Sequence, residues 1–121
     1  MSNTRKIGKV HEQRAKAHLE ACGYQVIEQN WQCKMGELDF VVIDKNRFNQ
    51  EYLVFVEVKY RKGGSSMAKF AVDYRKQNQV KKLSQLYLKY KEISEGKTNI
   101  SYDVIALDCK KLEHVKNIFN F

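Results

Sequence analysis

Apolar positions in the first quarter of the chain recur at helical spacing. Ala15, Leu19 and Cys22 stand at i, i+4 and i+7, which predicts a helix from about Lys9 to Cys22 with Gly23 as its C-terminal stop. Glu12 falls on the same stripe, and an inward-facing acid calls for a partner. The pattern then changes to short runs of β-branched and aromatic residues. Tyr24 to Trp31 reads as a strand centred on Val26 and Ile27. Gly36 to Asp44 and Tyr52 to Tyr60 read as two more, both apolar enough to be buried on two faces, with the polar stretch Lys45 to Glu51 as the loop between them. After a glycine and serine break, Gly63 to Ser66, the helical period returns. Val80, Leu83, Tyr87 and Tyr90 predict a helix from about Lys69 to Ser94 ended by Gly96, with Lys76 on its apolar stripe. Ile100 to Asp108 and Val115 to Phe121 read as closing strands. The order helix, three strands, helix, two strands predicts one α/β domain over residues 1–121, a mixed sheet flanked by helices.

Composition narrows the class. A chain of 121 residues, 43% hydrophobic, can bury one core, and it contains no apolar run of the roughly 18 to 20 residues that a membrane span needs. Met1 to Val10 is basic but lacks the apolar stretch of a secretory signal. Cys22, Cys33 and Cys109 are odd in number and far apart, as expected of free thiols in the cytoplasm. His18 and Cys22 are spaced i, i+4, but two ligands do not make a structural zinc site, so the expectation is a packed helix face.

Charge changes the picture further. The chain carries 22 Lys and Arg against 14 Asp and Glu, a net +8. Residues 58–97 hold 11 of the basic residues against only Asp73, Glu92 and Glu95, so the whole excess lies there. That segment is either a solvated helix face or a footprint for a polyanion, since neutralising phosphates releases condensed counterions. Tyr60, Tyr74, Tyr87 and Tyr90 are interleaved with it, to stack on bases or to pack in the core.

Two strands hold acids that an apolar sheet face does not favour. Alternation places Asp39 with Val41 and Ile43, and Glu57 and Lys59 with Leu53 and Phe55. Paired as a hairpin, the strands bring three ionisable groups to one end of the sheet. Desolvating carboxylates without compensating charge is costly. Either Lys59 serves as a structural ion-pair partner for Glu57, or Asp39, Glu57 and the Val58 carbonyl hold a divalent ion. Magnesium fits such a donor set, and manganese is its substitute. Lys59 would then orient or deprotonate an attacking water and stabilise charge on a phosphate. Glu12 offers a further acid if the first helix crosses the strand ends, and Lys76 a cation to steer the phosphate.

Gly36-Glu37-Leu38-Asp39, followed after a loop by Val54-Phe55-Val56-Glu57-Val58-Lys59-Tyr60-Arg61, resembles the YraN-like family of uncharacterised bacterial proteins. That family is placed in the PD-(D/E)-x-K nuclease superfamily, near the archaeal Holliday junction resolvases. Glu12 through Gly23-Tyr24 and Asn30, Ala71 to Leu88 with Lys76, and Tyr102-Asp103-Val104 extend the likeness over most of the chain. The resemblance implies a restriction-endonuclease-like αβββαβ core in which Asp39, Glu57 and Lys59 match the catalytic triplet and Glu12 the helix-borne acid. The expectation is a magnesium-dependent endonuclease acting on branched or recombination-intermediate DNA. Arg61, Lys62, Lys69, Arg75, Lys76, Lys81 and Lys82 would contact the nucleic acid, and a homodimer would serve symmetric cleavage. The alternative is a non-catalytic DNA-binding or assembly protein on the same fold.

Overall fold

The computed structural model describes residues 2–60 and 74–118, with side chains from residue 8 onward. The glycine and serine break, the start of the second helix, Arg61, Lys62, Lys69 and the last three residues lie outside it.

Helix α1 spans Ser2–Ala21, starting earlier than the stripe predicts. Gly8, Lys9 and Val10 are exposed, Val10 at 51%, so this stretch of the helix adds no buried position to the stripe. Ala15 and Leu19 are fully buried, whereas Cys22 lies past the last helical residue and is exposed. The helix ends in a Schellman motif: the Tyr24 N–H reaches the Leu19 carbonyl (3.0 Å), the Gly23 N–H reaches Glu20 (2.9 Å), and Gly23 has φ +86°. A Cβ on Gly23 would touch nothing within 4 Å, so only the left-handed backbone opposes a side chain. Gly23→Ala is expected to cost about 1 kcal/mol, read as a shift in urea midpoint with unchanged slope.

Strands β1 (Gln25–Cys33), β2 (Gly36–Arg47) and β3 (Gln50–Tyr60) form an antiparallel meander. In β1 a bulge at Ile27, between Val26 and Glu28, turns that side chain out to 37% exposure while Val26 packs inward. The predicted Lys45 to Glu51 loop is mostly paired strand. Its turn is only Phe48 and Asn49, with φ of +52° and +62°, between Arg47 and Gln50, the backbone handedness that suits a two-residue hairpin.

Helix α2 covers Tyr74–Tyr90 and buries Val80, Leu83, Tyr87 and Leu88. It ends earlier than predicted, and Gly96 is not its stop. Glu92, at φ +56°, takes the left-handed position, with the Glu92 N–H on Lys89 (3.1 Å) and the Ile93 N–H on Leu88 (2.8 Å). Reversal there folds Ile93 against the core and leaves Tyr90 67% exposed. Gly96 sits in a 3-10 turn, Glu95–Lys97.

Strand β4 (Ile100–Leu107) pairs parallel with β3, and β5 (Leu112–Val115) antiparallel with β4. The last strand begins before the predicted Val115. The Asp108 carboxylate accepts the Lys110 and Lys111 N–H groups (2.7 and 2.6 Å) and turns the chain back at once, while Asn117 at φ +55° ends the extended run.

The result is a five-stranded mixed sheet, β1-β2-β3-β4-β5, flanked by two helices, an α/β architecture consistent with the restriction-endonuclease-like fold. Beneath α1, Phe40, Val42, Val54, Val56, Ile105 and Tyr24 close over Ala15 and Leu19. Beneath α2, Val41, Leu53, Phe55 and Tyr102 meet Val80, Leu83 and Tyr87. The central strands are thus covered on both faces, which explains their near-continuous apolar runs. Among the described residues no helix is long and apolar enough to cross a membrane.

Candidate active site

The β2–β3 register runs from Arg47↔Gln50 to Phe40↔Val56. Just beyond it, the Asp39 carboxylate accepts the Val58 N–H through Oδ2 at 2.8 Å. The acid therefore does a ladder's work at the point where the strands part. Gly36, at the start of β2, has φ +145°, and a Cβ there would meet Gln79 Nε2 at 3.2 Å and Leu83 Cδ1 at 3.3 Å. Its lack of a side chain lets α2 lie close over the strand that carries Asp39.

Two positions apart on β3, Glu57 and Lys59 form an ion pair, Nζ to Oε1 at 2.9 Å, and Lys76 from the first turn of α2 reaches the same oxygen at 3.0 Å. Asp39, Glu57, Val58, Lys59 and Lys76 all line one cavity of about 260 Å³. The convergence expected from alternation is therefore present, and Lys76 joins it along the helical stripe. Burial pushes the Asp39 carboxyl up to about 6; the Val58 N–H opposes this, Glu57 and Glu37 add to it, and Lys59 lowers it. A carboxyl held up by burial and by neighbouring acids is one that an added cation would return to its charged form.

Glu12 takes a different place. Its Oε2 accepts from Asn30 Nδ2 at 3.2 Å, and it is not among the residues lining the cavity. The partner its inward position calls for is thus an amide on β1. Of the basic residues expected to meet nucleic acid, Arg75 and Lys82 are exposed on α2, Lys81 is half-buried and Lys76 is engaged with Glu57. Helix α2 carries Arg75, Lys76, Lys81, Lys82 and Lys89 and no acid. The interleaved tyrosines divide: Tyr87 is core at 1% exposure, Tyr74 and Tyr90 stand out at 72% and 67%, and Tyr60 stacks on His11 with ring centroids 3.9 Å apart.

A group that sequence reasoning missed lies beyond the cavity. Arg47, in the stretch read as a loop, is buried and forms a two-pronged pair with Asp103, both contacts 2.7 Å, and another with Asp44 at 2.8 Å. Nothing in its polar local sequence signals burial.

The model of the uncharacterised protein family UPF0102 matches residues 11–107, a span that contains every one of the cavity's ionisable residues. The chain belongs to the UPF0102 family. A UPF0102 protein of Syntrophus aciditrophicus is 35% identical over 124 residues, covering 98% of this chain and 92% of the relative. One from Alkaliphilus oremlandii is 34% identical over 120 residues, covering 95% and 98%, and one from Clostridium botulinum is 38% identical over 104 residues, covering 84% and 78%. Membership in UPF0102 agrees with the YraN-like resemblance carried by the β2 and β3 motifs.

Proposed function

We propose that this UPF0102 protein is a metal-dependent endonuclease that hydrolyses DNA phosphodiester bonds in branched or recombination-intermediate substrates. The supporting observation is the meeting of Asp39, Glu57 and Lys59 in one cavity beside a helix whose charges are all basic. Two carboxylates and the Val58 carbonyl are hard oxygen donors, a set that suits magnesium, with manganese as a substitute. Burial above all, with Glu57 and Glu37 adding to it, holds the Asp39 carboxyl up, a cost that a bound cation would offset. Magnesium bound there would neutralise phosphate charge and acidify a water.

The chain's own groups do the rest. Lys59 directs its ammonium into the cavity, where it orients the attacking water and hydrogen-bonds a phosphate oxygen as charge develops on it. Lys76 keeps Glu57 in place and presents a second cation to the incoming phosphate. Arg75, Lys81 and Lys82 hold the backbone through salt-sensitive contacts without reading sequence. The Glu12 carboxylate, tied to Asn30, stands outside the residues that line the cavity. A four-way junction has two strands to cut, so the proposal includes a two-fold homodimer.

The test is a cleavage panel of linear, flapped, single-stranded and four-way DNA with and without magnesium. Wild-type protein is expected to cut at least one of them, and Asp39→Asn and Lys59→Ala to slow the cut by about a hundredfold or more. Equal cleavage by the variants would assign the activity to a contaminant and overturn the proposal. One observation favours a second reading, a DNA-binding or assembly protein without chemistry: Glu57 is already held by two lysines. That reading predicts DNA binding indifferent to EDTA and no heat of magnesium or manganese binding.

A further inference from the structure

On the other side of the sheet from the cavity, the last turn of α1 meets the edge strand β5. His18 and Cys22, one turn apart, are joined there by His114, a residue 96 positions from His18. The distance from His18 Nε2 to His114 Nδ1 is 3.0 Å, and from His18 Nε2 to Cys22 Sγ 3.6 Å. One donor atom from each of the three lies within 4.8 Å of the others.

The orientation of His114 is set from behind. Its Nε2 lies 2.7 Å from Asp103 Oδ2, in a carboxylate that also pairs with Arg47. A carboxylate can only accept, so Nε2 carries a proton, and the ring form that binds a metal is the one whose Nδ1 lone pair faces His18. Carboxylate, then imidazole, then open lone pair is the arrangement by which proteins orient a histidine for a metal. Tetrahedral zinc, with bonds of about 2.0 Å to nitrogen and 2.3 Å to sulfur, separates two nitrogens by about 3.3 Å and nitrogen from sulfur by about 3.5 Å. The two spacings from His18 are already close to these values, and the third, between His114 and Cys22, has to close from no more than 4.8 Å by rotation of the exposed cysteine.

We propose that His18, Cys22 and His114 form a second metal site, separate from the Asp39 cavity, for a borderline-soft transition ion, zinc above all. Two imidazoles and a thiolate are the wrong donors for magnesium and the right ones for zinc. Three protein ligands leave the fourth position to water, because Cys22 is exposed. Binding releases the thiol proton to solvent as the sulfur–metal bond forms. The ion would fasten β5, the short edge strand, to the end of α1.

Cobalt is the probe, because a cysteine-bound cobalt ion gives a near-ultraviolet thiolate-to-metal band that carboxylate ligands do not. Reduced full-length Asp39→Asn protein, which lacks the cavity carboxylate, is expected to take up one cobalt per chain with that band and to lose the band when zinc is added. Adding Cys22→Ser should abolish it, and adding His18→Gln should weaken cobalt binding at least about tenfold. The Cys33→Ser, Cys109→Ser pair should leave it intact. In Asp39→Asn protein zinc should raise the melting temperature, and with Cys22→Ser added it should not. Absence of the band, its persistence in Cys22→Ser, or unchanged affinity in His18→Gln would overturn the proposal, whatever the cleavage panel returns.

Discussion

Arg47→Ala is expected to lower folding stability by about 3 to 5 kcal/mol, read from urea unfolding at neutral pH. The guanidinium side chain is 4% exposed and the Asp103 carboxylate 0%. Five of its contacts go to Asp44, Asp103, Ser101 and Tyr24. Burial would raise the Asp103 pKa; the hydrogen bonds from Arg47 and His114 outweigh it and hold the carboxyl below its usual range. Without Arg47 that carboxylate is left buried with only the His114 imidazole and the Asn117 N–H. The sign of the pH dependence follows. In wild type the Asp103 contribution is present above the unfolded carboxyl's pKa near 3.8 and is lost as pH falls through the lower native value. In Arg47→Ala the burial cost is no longer offset, so the deficit against wild type should shrink as the pH falls and Asp103 protonates. Adding Asp103→Asn to Arg47→Ala should recover part of the loss, with a coupling above about 1 kcal/mol. A loss under about 1 kcal/mol from Arg47→Ala would mean that water reaches the pair.

How far such features can be read from sequence depends on whether local periodicity encodes them. The apolar runs of β2 and β3 and the Ala15, Leu19 stripe announce burial directly, and Gly23 marks the end of α1 because only a left-handed residue completes that motif. Alternation in two paired strands is enough to bring Asp39, Glu57 and Lys59 together, and the helical stripe adds Lys76. The failures have the opposite cause. Arg47 sits in a polar run around a turn made by Phe48 and Asn49, so a hairpin without the customary glycine looked like a loop. The end of α2 was missed because Glu92, not glycine, adopts the left-handed conformation. Strand β5 has only four residues, too few for alternation to declare itself. His114 reaches His18 and Asp103 across the fold, and no spacing rule connects residues brought together by the sheet. Glu12 shows the limit of reading direction alone: its inward position was legible, its Asn30 partner was not.

Asp39→Asn is expected to do two opposed things: remove magnesium binding and, without metal, make the protein more stable at neutral pH. Burial is the chief cause that pushes the native Asp39 carboxyl up to about 6 from its ordinary 3.8. Between those values the folded chain holds a proton that the unfolded chain has lost, so stability falls as pH rises and the full penalty applies above about 6. The displacement corresponds to at most about 3 kcal/mol, and hydration through the open cavity brings the expected gain for asparagine to about 1 to 2 kcal/mol. Asparagine keeps an oxygen for the Val58 N–H, so the strand junction survives. The wild-type chain binds magnesium only with the carboxylate ionised, so its affinity should weaken about tenfold per pH unit below about 6. Melting curves from pH 5 to 8, in EDTA and in magnesium, separate the two effects: the variant melts higher than wild type in EDTA at pH 7, magnesium raises the wild-type curve alone, and the advantage of the variant in EDTA shrinks toward pH 5. If Asp39→Asn instead melts lower in EDTA at pH 7, the acid is a structural member of the β2–β3 junction, and the strained carboxylate no longer argues for a cation in the cavity.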